Sequence, residues 1–106
     1  MGLQEVVKLL AVDLDDKLIR SIRELGKKYS VKKIVLFGSR ARGDNRSTSD
    51  IDLAVYTLPN FTSEGTLLSK LDDLNTLLKI DVIFIAPDND HHLIEKIEKE
   101  GVVLYE

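Results

Sequence analysis

The chain has 106 residues, 43% hydrophobic and 31% charged, a balance that fits one globular domain with a modest core and leaves little room for a second substrate-binding domain. Its net charge of -3 argues against nonspecific coating of nucleic acid, and the absence of cysteine excludes disulfides and thiolate metal sites. No apolar stretch approaches the ~20 residues of a membrane span, and no basic start, apolar block and cleavage site mark a secretion signal, so the expected location is the cytoplasm.

A short helix is expected over residues 3–10. A long helix is predicted from Leu14 to Tyr29, with Leu18, Ile22, Leu25 and Tyr29 in one apolar stripe. Asp13 suits its N-cap, Asp15 and Asp16 its first turn, and Lys27 and Lys28 its last. Lys33–Phe37 is a nearly continuous apolar run, as in a strand buried on both faces. Gly38 ends it. Ser39–Arg42 then reads as a short helix closed by Gly43, and 44–49 as a polar loop.

Asp50–Tyr56 is predicted as the second strand. Alternation puts Ile51, Leu53 and Val55 on one face, and Asp50, Asp52, Ala54 and Tyr56 on the other. A second long helix is predicted over 63–79, with a stripe of Leu67, Leu71, Leu74 and Leu78 widened by Leu68 and Leu77. Lys79–Ala86 reads as the third strand, with Asp81 on the face of Ile83 and Ile85, and Pro87 stops it. Asn89 or Asp90 is placed to cap a last helix carrying Leu93, Ile94 and Ile97, which Gly101 ends before a short strand over 102–105. The order implies a single α/β domain spanning 1–106, with helices packed on a mixed sheet.

The chemistry concentrates in GSRARGDNRSTSDID, residues 38–52. Asp50 and Asp52 are about 6.6–7 Å apart along one strand face, so their side chains can converge on one ion. Hard carboxylate oxygens select Mg²⁺ or Mn²⁺ over zinc. Asp81, inside another apolar run, supplies a third carboxylate and completes a candidate two-metal site, since a buried charge is costly unless paired or metal-bound. The bland alternatives are two surface aspartates on an edge strand for Asp50 and Asp52, and a helix-to-strand boundary aspartate in solvent for Asp81.

Gly38 and Ser39 follow a strand and open a helix. Free amides and partial positive charge at such a turn suit phosphate, although many strand–helix turns carry Gly-Ser as a plain cap. Residues 32–46 hold Lys32, Lys33, Arg40, Arg42 and Arg46 against Asp44 alone, a cationic patch on the motif itself. Arg40 and Arg42 can grip phosphate oxygens in a bidentate manner. At least one of the two is expected on phosphate or acceptor, with pairing to a carboxylate as the alternative for the other; which is which stays open. His91 and His92 point about 100° apart on a helix and read as a solvated helix start rather than a metal site.

GSRARG, then SDIDLAV, then IDVIFI resembles the minimal nucleotidyltransferases of the polymerase-β-like superfamily, over roughly residues 14–100. The resemblance implies that Gly38 and Ser39 bind a nucleoside triphosphate, with ATP expected, and that Asp50, Asp52 and Asp81 hold two magnesium ions and carry the transfer. Arg40 and Arg42 are expected beside the nucleotide. Members of this family resemble the antitoxin half of a toxin–antitoxin pair whose other half is a HEPN-domain ribonuclease, in some cases transferring AMP to a tyrosine hydroxyl. The implied function is therefore a Mg²⁺-dependent transferase acting on a HEPN partner. The alternative is a silent module that neutralises that partner by binding. Self-association is a further expectation, because the acceptor site should be open on one side. Direct nucleic-acid binding and membrane association are not expected.

Overall fold

The computed structural model describes residues 12–86 and 91–106. The helix expected over 3–10, the stop at Pro87 and the cap at Asn89 or Asp90 lie outside the described residues. The elements are α1 (Asp16–Lys28), β1 (Lys33–Phe37), α2 (Ser39–Arg42), β2 (Ile51–Tyr56), α3 (Glu64–Asp72), β3 (Ile80–Ile85), α4 (His91–Glu100) and β4 (Val102–Tyr105). No helix among them is long and apolar enough to cross a membrane.

The four strands form one mixed sheet in the order β3-β2-β1-β4. β1 runs antiparallel to both β2 and β4, whereas β2 and β3 are parallel. Their link, which includes α3, is the crossover that a parallel pair requires. Both faces of the sheet are covered. On one face Ile34, Leu36, Ile51, Leu53, Val55 and Leu104 pack with Leu18 and Ile22 of α1 and Leu67 and Leu71 of α3. On the other, Val35, Ala54, Tyr56 and Ile85 pack with Ile97 of α4, backed by Leu93 and Ile94. The predicted alternation of β2 is therefore present, and its second face is buried too, from Ala54 onward.

Two boundaries differ from the sequence reading by two or more residues. The N-cap of α1 is Asp15, in extended backbone, rather than Asp13. The second long helix stops at Asp72 instead of reaching 79. Beyond it the amides turn back locally: Leu74 donates to the Leu71 carbonyl, Thr76 to the Leu74 carbonyl, and Leu78 to Thr76 Oγ1. Side-chain acceptance by threonine offers the backbone an alternative to the helix ladder. As a result Leu77, placed in the apolar stripe by periodicity, stands fully exposed, and Leu68 is also outside the core.

Tyr56 ends β2 with its ring buried and the Lys33 ammonium 4.5 Å from the ring centroid. Its hydroxyl is buried with no hydrogen-bond partner among the described residues. Burial, and secondarily the charge of Glu98, raises its pKa above the ordinary tyrosine value.

Candidate functional site

The site grows out of three strand ends. β1 finishes at Phe37, whose register partner on β2 is Asp52. Asp52 in turn faces Asp81 across the parallel β2–β3 pair. Gly38 follows Phe37 directly, so Gly38, Asp52 and Asp81 form a row across the end of the sheet. Below that row the same face continues as Ala54 beside Ile83 and Tyr56 beside Ile85, closed over by α4. The apolar floor keeps water from one side of Asp52, while the strand ends leave the row open above.

Gly38 has φ 76° and ψ -156°, a backbone region that only glycine adopts without strain. It is tight for a second reason. A Cβ at this position would collide with Asp52 Oδ2 and stand 3.3 Å from Asp52 Cγ. The missing side chain is what lets the turn approach the carboxylate. From here α2 begins: Ala41 and Arg42 donate to the Gly38 carbonyl, and Gly43, left-handed at φ 86°, closes it. Ser39 is the first residue of this helix and is half-buried.

The carboxyl of Asp52 titrates above its ordinary value. Burial is the largest cause, followed by the charges of Asp81 and then Asp50, with Arg42 acting the other way. Asp50 stands exposed just before β2. Asp81 is the more open partner of the row, with 43% of its side chain exposed, and its Oδ1 lies 3.2 Å from Lys79 Nζ. Among the described residues no three carboxylate or imidazole groups stand close enough together to hold an ion at once. The donor chemistry nonetheless suits a hard divalent cation: oxygen ligands only, in mutual repulsion, with Asp52 raised by both neighbours.

The two arginines part company. Arg40 is buried and turns inward. Its Nε donates to the Ser49 carbonyl at 3.0 Å, its Nη1 to the Asp13 carbonyl at 2.7 Å and its Nη2 to the Ser47 carbonyl at 3.0 Å. The Asp13 carboxylate adds an ion pair at 3.6 Å, so Asp13 serves this arginine rather than capping a helix. The assignment of Arg40 to the nucleotide is therefore corrected: its guanidinium is spent on the carbonyls of Asp13, Ser47 and Ser49. Arg42 is exposed, donating to Asp44 at 3.1 Å and to Glu100 at 3.0 Å, and its charge reaches Asp52. It is the more exposed of the two arginines, and both of its carboxylate partners lie at the surface or near it. His91 and His92 are exposed at the start of α4, as expected.

Sequence reasoning missed Lys79 and Glu100. Lys79 was legible in principle, since it stands two residues before Asp81 and so on its side of the strand. Glu100 was not, because it joins Arg42 over 58 residues of chain.

A mixed sheet with helices on both faces, and an Asp pair facing a Gly-Ser turn, defines the class: a nucleotidyltransferase fold. A family model described as Polymerase beta, Nucleotidyltransferase matches residues 20–106, and the chain belongs to that family and is a nucleotidyltransferase. Relatives in Methanocaldococcus jannaschii carry the provisional name protein adenylyltransferase. One is 36% identical over 67% of this chain and 84% of its own, and another is 34% identical over 88% and 94%. Among solved structures, a toxin–antitoxin crystallised with AMP-PNP superposes at a TM-score of 0.59 with 27% identity, covering 81% of this chain and 71% of that one. A provisionally named nucleotidyltransferase from Sulfolobus solfataricus shares the fold at a TM-score of 0.52 and 18% identity, over 97% and 87%.

Proposed function

We propose that this chain transfers AMP from ATP to a hydroxyl of a partner protein, a tyrosine of a HEPN-type ribonuclease toxin, and that it acts as the antitoxin of that pair. The reading rests on the register of Asp52 with Asp81 beside the Gly38 turn. The provisional name of the relatives, and the toxin–antitoxin crystallised with an ATP analogue, support the same direction.

In this reading the amides and hydroxyl at Gly38 and Ser39 receive the triphosphate, and Arg42 exchanges Asp44 and Glu100 for phosphate oxygens. Asp50, Asp52 and Asp81 would hold Mg²⁺, with Mn²⁺ as a substitute; bound there, the ions would supply charge for the acceptor oxygen and for the leaving group. The acceptor oxygen bonds to the α-phosphorus, the bond to the bridging oxygen breaks, and pyrophosphate leaves. A carboxylate of the cluster takes the acceptor proton. Most of the catalytic effect in such a transfer is positioning, so the partner's own surface should place its hydroxyl, and turnover should rise when the partner is present. The cytoplasm is the compartment in which ATP and such a partner would meet.

The test is mass spectrometry of a co-purified partner after incubation with ATP and Mg²⁺, with the Asp50→Asn, Asp52→Asn double variant as control. A gain of one AMP, lost in the double variant, is the expected result. A stable complex in which neutralisation persists in the double variant, with no mass gain, would replace transfer by masking of the toxin surface.

A further inference from the structure

We propose that Lys79 is a tethered counter-ion of the carboxylate cluster: its ammonium holds Asp81 in the metal-free chain and gives way to a divalent cation, so that it sets how tightly the site binds metal. The proposal rests on the metal-site reading above and adds a positioning residue to it.

Lys79 immediately precedes β3, and its backbone is pinned. Its carbonyl accepts the Ile51 amide at 2.9 Å, which locks this point of the chain to the first residue of β2. The side chain is the opposite, 70% exposed and held at its tip by the 3.2 Å contact to Asp81 Oδ1. A fixed base with a free head is what a displaceable ligand requires. Besides Asp81, the charges of Asp50 and, more weakly, Asp72 act on the ammonium.

An exposed lysine–carboxylate pair is weak, screened by salt and readily exchanged. A divalent ion carries twice the charge to the same hard oxygens and can draw on Asp52, the register partner of Asp81, as well. Exchange is therefore favourable, but it is less favourable by whatever the lysine contact contributes. The four-carbon stem lets the released head swing away without disturbing β3.

The experiment is calorimetric titration with Mn²⁺ alone, at low ionic strength, of the wild-type chain, Lys79→Met, Lys79→Arg and Asp52→Asn. The expected result is Mn²⁺ binding about three- to tenfold tighter in Lys79→Met, with Lys79→Arg near wild type and the gain shrinking as salt is added. The gain should vanish in a Lys79→Met, Asp52→Asn double variant. Equal or weaker binding in Lys79→Met, while the wild type saturates and Asp52→Asn does not, overturns the proposal and leaves the metal site standing. Absence of saturable binding in all variants overturns the metal-site reading itself, and the proposal with it.

Discussion

Gly38 and Asp52 touch so closely that no side chain fits between them: a Cβ on Gly38 would overlap the Asp52 carboxylate. The Gly38 turn and the central carboxylate of the candidate site are therefore one packed unit rather than two neighbouring motifs. Gly38→Ala should strain the backbone at φ 76° and push Asp52 aside together. The expected loss is about 1–3 kcal/mol of stability and at least about tenfold in nucleotide transfer. Urea denaturation and a transfer assay on the same preparation check both halves.

The raised pKa of Asp52 carries a pH signature. A carboxyl whose folded-state pKa lies above its unfolded value stabilises the fold fully below the ordinary value of 3.8, and that contribution is lost as pH rises through the raised value. At neutral pH the ionised Asp52 is thus a liability, caused first by burial and then by Asp81 and Asp50. Asp52→Asn should melt at a higher temperature than the wild type at pH 7, with the advantage disappearing towards pH 3. Melting curves across that range, without added metal, give the answer; an unchanged or lower melting temperature at pH 7 would contradict it.

Arg40 and Arg42 should separate cleanly in mutagenesis. Arg40→Met leaves the carbonyls of Asp13, Ser47 and Ser49 without their donor in a part-buried setting. It should cost about 3 kcal/mol and speed amide hydrogen exchange over 44–49. Arg42→Ala breaks only exposed contacts to Asp44 and Glu100 and should leave the melting temperature almost unchanged. If the proposed role of Arg42 at the nucleotide holds, its loss should show as a raised KM for ATP. A large stability loss in Arg42→Ala, or none in Arg40→Met, would reverse the two roles.

Tyr56→Phe should be neutral or stabilising, by up to about 1 kcal/mol, because it removes a buried hydroxyl that has no hydrogen-bond partner among the described residues. The ring keeps its packing and its contact with Lys33. Chemical denaturation of the two proteins compares them directly; a loss above about 1 kcal/mol would mean that the hydroxyl has an acceptor in the folded chain.

Much of the fold was legible in local pattern. The run Lys33–Phe37, the alternation of Ile51, Leu53 and Val55, and the glycines at 38 and 43 marked β1, β2 and α2 at or within one residue of their ends. These signals are local because a strand buried on both faces and a glycine with positive φ leave their mark on consecutive residues. The end of α3 was not legible. Leucine spacing continues to residue 78 and is compatible with helix, but Thr76 accepts the Leu78 amide and Leu77 faces water. Periodicity records which spacing is allowed, not whether a core exists to receive it.

The sequence by itself determined the order of elements, the chemistry available and the family pattern, since residue type and spacing carry all three. Only the tertiary structure decided which groups meet. Register alone places Asp52 against Asp81 rather than a residue on either side, and a slip by one would turn the carboxylate to the opposite face. Packing alone sends Arg40 into the loop and leaves Arg42 outside, although both stand in the same short motif and carry the same charge. A guanidinium goes where its donors are satisfied, and those acceptors, from Asp13 to Ser49, are assembled by the fold and not by neighbours in the chain.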